Sequence, residues 1–154
     1  LCEDIRGNLT VYEAVVLMMT ALGSLRCHDK SRVIPVGYSM LLILYITLLR
    51  RTPEYNEEIR YHISFLPDVK VWTGNLLNVI LYIPLGGTIY NMAASIKGTA
   101  FAALLSSVLC EIIQYFTHRG VADINDVLFN LIGACAGALL FRAFRAFKKK
   151  KDLQ

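Results

Sequence analysis

The sequence predicts an all-α fold: a polytopic transmembrane helix bundle of about five spans, with the N-terminus outside and the C-terminus inside. Three observations carry that expectation. Hydrophobic residues make up 55% of the 154 residues, and the mean hydropathy of +0.48 lies above that of soluble domains. The apolar residues gather into long runs separated by charged connections, the pattern of membrane-spanning helices. Six of the sixteen Lys and Arg residues fall between Arg142 and Lys151, directly after an apolar run, which is the footprint of a cytoplasmic anchor. The net charge of +4 is thereby explained by the membrane, and no nucleic-acid partner is expected. At this length residues 1–154 form one domain.

Each element follows from its composition. Residues 9–25 carry only Glu13 as a charge and sit near the lower length limit for a span, about 17 residues; an interfacial helix is the alternative. Arg26, Lys30 and Arg32 make a short basic loop. Residues 33–49 are uncharged, with Pro35 in the first turn, where a missing N–H costs little. Residues 50–74 form an outer loop of mixed charge, too apolar at Ile63, Phe65, Leu66, Val71 and Trp72 for a solvated linker. They read as an amphipathic segment on the membrane surface, with Trp72 as an interfacial anchor. Residues 75–91 are the next span, and Pro84 with Gly86-Gly87 predicts a kink there. Lys97-Gly98 marks a short turn. Residues 99–117 follow, closed by His118-Arg119-Gly120 with the glycine in the left-handed closing position. Residues 126–145 are the last span, where Gly133-x-x-x-Gly137 offers a smooth face to a close neighbour.

Charge sets the orientation. With the C-terminus inside, ten of the sixteen basic residues lie on the inner side (Arg26, Lys30, Arg32, Lys97 and the six terminal ones), and eight of the twelve acids lie outside. Basic clusters decide orientation, and Arg50-Arg51 is the exception to the pattern. Cys2, Cys27, Cys110 and Cys135 have no zinc or disulfide spacing, and the latter two read as small hydrophobes. The acidic Glu3 and Asp4 ahead of the first run argue against a cleaved signal peptide.

The stretch Glu111–Gly137 holds the chemistry. An ionisable side chain inside a membrane helix costs roughly 2.5–3.5 kcal/mol on insertion scales, which makes it a functional-site candidate by default. Glu111, Gln114 and His118 fall at i, i+3 and i+7, one helix face. Asp126 and Asn130 share a face of the next helix, and a tight turn would bring the two pairs to one depth, opening outward. Interhelical hydrogen bonding alone would account for Gln114, and a surface position for His118. Asp123 suits an N-cap with Asp126 at the third helical position, a role compatible with one in the site. Asn130 is expected to bond across to another helix, with Asn78 as partner. Arg119 either neutralises carboxylates or offers its fork to a substrate carboxylate or phosphate. That arginine competes for any metal's oxygen ligands, so no metal and no cofactor is expected. Ser106 and Ser107 lack a local base and are expected to bond to their own backbone.

These residues also carry a resemblance. Glu111-x-x-Gln114, Arg119, Asp123-x-x-Asp126 and Asn130-x-x-Gly133-x-x-x-Gly137 together resemble the signature of the VanZ-like membrane proteins. Asn78 with Tyr82-x-Pro84-x-Gly86 is similar to that family's Asn…Phe-x-Pro-x-Gly element, with Tyr82 where Phe is usual, and Leu48–Thr52 resembles the end of its first helix. The likeness covers roughly Val33 to Phe147. It implies a bacterial multi-pass cell-membrane protein linked to the envelope and to glycopeptide (teicoplanin) resistance, with no settled reaction. One class of function binds or alters an amphiphile, a membrane lipid or lipid-linked cell-wall precursor. Glu111, Arg119 and Asp126 would then act chemically, with Gln114, Asp123, Asn130, Asn78 and His118 holding the substrate. The other class is a non-catalytic module that binds or excludes a glycopeptide antibiotic or modifies the envelope indirectly. Transport ranks third, because the chain is short and shows no matched pair of broken helices.

Overall fold

The computed structural model describes residues 11–25, 29–49, 59–60 and 69–151. Among these residues five α-helices carry the fold: α1 (Val11–Ser24), α2 (Val33–Leu44), α3 (Val69–Ala93), α4 (Ile96–Thr117) and α5 (Ile124–Lys151). A 3-10 turn, Asp29–Arg32, leads into α2, and a π-helical turn, Tyr45–Leu49, ends it. Two short strands, β1 (Ile59–Arg60) and β2 (Ala122–Asp123), pair in parallel. Among the described residues three helices are long and apolar enough to cross a membrane: the 22 residues Trp72–Ala93 within α3, the 22 of α4 and the 28 of α5. The apolar helices Tyr12–Ser24 and Val33–Leu49 are shorter.

Several boundaries differ from the sequence-based expectation, each for a local reason. Residues 69–74 belong to α3 and not to the outer loop. Trp72, expected as a loop anchor, stands on the first turns of that helix with its ring edge-on to Phe129, 6.4 Å between centroids. The rest of the surface segment lies outside the described residues, apart from Ile59–Arg60. The turn between α3 and α4 is Ala94-Ser95 instead of Lys97-Gly98. Ala94 takes a left-handed φ of 52°, and the Ser95 hydroxyl accepts from the Gly98 amide at 3.1 Å, a side-chain N-cap. At the other end of α4 the left-handed residue is His118, φ 53°, and not Gly120. The Arg119 amide donates to the Gln114 carbonyl at 3.1 Å and the His118 amide to that of Tyr115 at 3.3 Å, the paired bonds of a Schellman closure. The last helix runs from Ile124 to Lys151, because its basic tail suits the negative end of the helix dipole. Helix α3 continues through Pro84.

Packing turns the usual distribution of polarity inside out. Phe101, Phe116 and Leu140 are 69%, 75% and 60% exposed, whereas Asn91, Ser107, Glu111, Gln114 and Asn130 are buried. Lipid makes apolar outer faces the stable arrangement and leaves polar side chains as interhelical contacts. The core itself joins Leu17, Ile43, Ile46, Leu81, Tyr82 and Leu85.

The most extensive helix interface is that of α3 with α5, and small residues create it. A Cβ added at Gly133 would overlap the Val79 carbonyl, one at Gly137 the Ile83 carbonyl, and one at Gly86 the backbone of Ala134. The two backbones therefore touch, as expected for the Gly133-x-x-x-Gly137 face. The order of these contacts, and of Asn78 against Asp126, makes α3 and α5 parallel, with α4 returning between them.

The crossing yields a stability prediction. Gly137→Leu should cost about 1–3 kcal/mol, the usual penalty of overpacking, measured by thermal unfolding in detergent. Gly37→Ala, where an added Cβ meets nothing within 4 Å, should leave the melting temperature close to the parent's. Equal melting of Gly137→Leu and the parent would contradict the contact.

Candidate functional site

The end of the bundle where α3 and α5 begin and α2 and α4 finish gathers the polar signature. It is built from the start of α5 upward. The first amide groups of any helix lack intrahelical acceptors. Asp123 caps this end: its Oδ1 accepts from the Asn125 amide at 2.9 Å and from Asn125 Nδ2 at 2.8 Å. The Asp123 amide in turn donates to Glu111 Oε2 at 2.9 Å. In a capping box the third helical residue makes that return bond; here a buried carboxylate on the neighbouring helix makes it. Asp126, the third residue of α5, accepts instead from Asn78 Nδ2 on α3 at 2.7 Å. The start of α5 is thus closed by one carboxylate of its own and one from α4, while Asp126 fastens it to α3.

One turn deeper, Asn130 Nδ2 donates to Ser107 Oγ on α4 at 2.9 Å. This corrects two expectations. Asn130 pairs with Ser107 and not with Asn78, because the Asp126 carboxyl group, one turn nearer the start of α5, takes the Asn78 amide. Ser107 accepts from another helix, whereas Ser106 does bond to its own backbone, at the Ala103 carbonyl, 2.9 Å. The Tyr82 hydroxyl lies beside Ser106, Ser107 and Cys110 but makes no hydrogen bond of good geometry. The Gln114 Oε1 and Asn130 Oδ1 atoms are likewise buried without a hydrogen bond.

The remaining predicted residues face the π-helical turn. Gln114 Nε2 donates to the Thr47 carbonyl at 3.2 Å, and Arg119 Nη1 to the carbonyls of Leu48 and Leu49 at 3.1 and 3.3 Å. Cationic side chains at a helix C-terminus satisfy its last carbonyls and complement its dipole. His118 shapes the exit of α4 through its backbone. The structure therefore joins Glu111 to Asp123, Asn78 to Asp126 and Asn130 to Ser107, and sends Gln114 and Arg119 toward the end of α2. Among the described residues no three His, Cys, Asp or Glu side chains gather as metal ligands; Glu111, Asp123 and Asp126 are directed at amide hydrogens.

Ser107 was not legible as a partner, although it precedes Glu111 by four residues and so shares its helix face. The carbonyls of the π-helical turn carry no sequence signal at all.

An all-α bundle, apolar outside and threaded by carboxylate and amide side chains inside, with three helices long and apolar enough to cross a membrane, is a membrane protein with its polar site at one end. The family model described as VanZ/LLP1 matches residues 11–145, and the chain belongs to that family. The matched stretch runs from the start of α1 to the last turns of α5. No curated protein and no solved structure matches the chain.

The corrected pairing can be checked by double-mutant cycles in a denaturation assay. Asn78→Ala with Asp126→Ala should show a coupling of about 0.6 kcal/mol, up to roughly 1.7, the range measured for polar contacts between membrane helices. Asn78→Ala with Asn130→Ala should be additive. Coupling in the second pair and none in the first would restore the pairing read from sequence.

Proposed function

We propose that this protein is a multi-pass cell-membrane protein whose site at the Glu111 end binds and acts on an amphiphile of the envelope, a membrane lipid or a lipid-linked cell-wall precursor. Resistance to a glycopeptide such as teicoplanin would be a consequence. The observation that carries the reading is the convergence of Glu111, Asp123, Asp126 and Arg119 on one end of the bundle, beside the buried and unsatisfied Gln114 Oε1. A headgroup with hydroxyl or amide donors suits those oxygens, and an anionic group suits the Arg119 fork. Glu111 is the general acid or base of this reading, with Asp126 at the same end of the bundle and His118 at the rim.

Five crossings, with the N-terminus outside and Lys148–Lys151 inside, complete the proposal. Support comes from the alternating direction of the helices. Asn91 on α3 bonds to Ser24 at the end of α1, Arg32 before α2 reaches the same Asn91, and Gln114 meets the end of α2. Labelling of a single cysteine at position 149 by an impermeant reagent should fail in intact cells; labelling there would reverse the orientation.

One observation favours a second reading, a non-catalytic module that binds or excludes the antibiotic. Glu111 Oε2 already holds the Asp123 amide, which a structural residue would also do. Glu111→Gln separates the two, because its amide oxygen still accepts from Asp123 while charge and proton exchange are lost. The expected outcome is normal membrane abundance with loss of the envelope or resistance phenotype, a rate effect of about 10²–10⁴ for an acid–base group. Arg119→Lys should also lose function, keeping charge but not the planar fork. A Glu111→Gln variant with full activity would leave the non-catalytic module.

A further inference from the structure

The opposite end of the bundle holds a second polar feature that the amphiphile site does not use. Asn91, buried near the end of α3, donates through Nδ2 to the Ser24 carbonyl at 2.7 Å. Its own carbonyl accepts from Arg32 Nη1 at 3.3 Å, so the guanidinium that precedes α2 is positioned by α3, which is itself fastened to α1. On α5, Arg145, Lys148 and Lys149 stand at i, i+3 and i+4, which is one helix face. These three and Arg32 line a single cleft of about 340 Å³. Leu25 and Phe144 form part of its wall.

The plain explanation of terminal lysines is twofold: they complement the dipole of α5 and they snorkel into the headgroup layer. That accounts for Lys148 and Lys149 on their own. It does not account for Arg32, which is brought against them from another part of the chain and held there by a backbone carbonyl. A guanidinium with ammonium groups around one hollow suits phosphate oxygens. The volume falls at the low end of small-ligand sites, about 300–1,000 Å³, more than a bare anion fills. The apolar wall offers a surface for the first carbons beyond the phosphate.

We propose that the Arg32–Arg145–Lys148–Lys149 cleft binds the phosphate headgroup of an anionic phospholipid from the leaflet on the Lys148 side. The ligand there fastens the ends of α1, α2, α3 and α5 together. The site is independent of Glu111 and of any reaction at the other end.

The test is lipid retention by the full-length protein in detergent, read by native mass spectrometry with phosphatidylglycerol or phosphatidylcholine added. The parent should retain phosphatidylglycerol in preference. Lys148→Gln/Lys149→Gln, both fully helical surface positions, should weaken retention about 25-fold, roughly five-fold for each cation removed near a membrane surface. Lys150→Gln/Lys151→Gln removes the same charge from the same helix and should weaken it several times less. Arg32→Lys, which keeps the charge but not the fork, should fall between the parent and Arg32→Gln. Equal losses in the two lysine pairs would overturn the cleft in favour of a diffuse basic tail. Equal retention of phosphatidylcholine would overturn the headgroup, and displacement of the lipid by equimolar inorganic phosphate would overturn the lipid assignment.

Discussion

The start of α5 is the constraint on which the site depends. A helix begins with amide groups that have no internal acceptor, and a helix surrounded by lipid and other helices has few outside ones. Here the Asp123 side chain takes the Asn125 amide and Glu111 takes the Asp123 amide. The second bond ties the last turns of α4 to the first of α5 across the Arg119–Ala122 connection. It also releases Asp126 from local capping, so that Asp126 can fasten Asn78 on α3. Three helices are thereby locked at one end by two carboxylates, each reaching beyond its own helix.

Helix dipoles explain why acids gather at this end and bases at the other. Helices α3 and α5 are parallel and present two positive N-termini to the Glu111 end, where Glu111, Asp123 and Asp126 oppose them. The ends of α2 and α4 arrive there too, and Arg119 answers the carbonyls of the former. At the far end the α5 C-terminus meets Lys148–Lys151, and Arg32 joins them through Asn91. The polarity of the bundle along its axis is therefore set by the direction of its helices as much as by any ligand. Close contact of α3 with α5 through Gly86, Gly133 and Gly137 brings the two dipoles side by side and makes the match necessary.

The sequence foretold what depends on composition and short spacing. The apolar runs marked the five helices among the described residues, the Gly133-x-x-x-Gly137 face marked the crossing, and Asp123 was recognisable as a cap. It foretold less where tertiary contact overrides local preference. His118 took the left-handed position that Gly120 suited better, because the Schellman bonds to Gln114 and Tyr115 close α4 two residues earlier. The turn fell at Ala94-Ser95 because the Ser95 cap outweighed the breaker signal of Gly98. Pairing among Asn78, Asp126, Asn130 and Ser107 depends on the vertical offset of three helices, which the glycine contacts set and no periodicity reports. The same holds for Arg32, whose partner lies on a helix far along the chain.

The bond from the Asp123 amide to Glu111 is the centre of this account, and amide hydrogen exchange reads it directly. In the parent protein the Asp123 amide should exchange slowly, like the amides inside α5. Glu111→Gln should keep that protection, since an amide oxygen replaces the carboxylate, and Glu111→Ala should abolish it while the interior of α5 stays protected. An Asp123 amide that exchanges as fast as an open loop in the parent, or one indifferent to Glu111→Ala, would contradict the account.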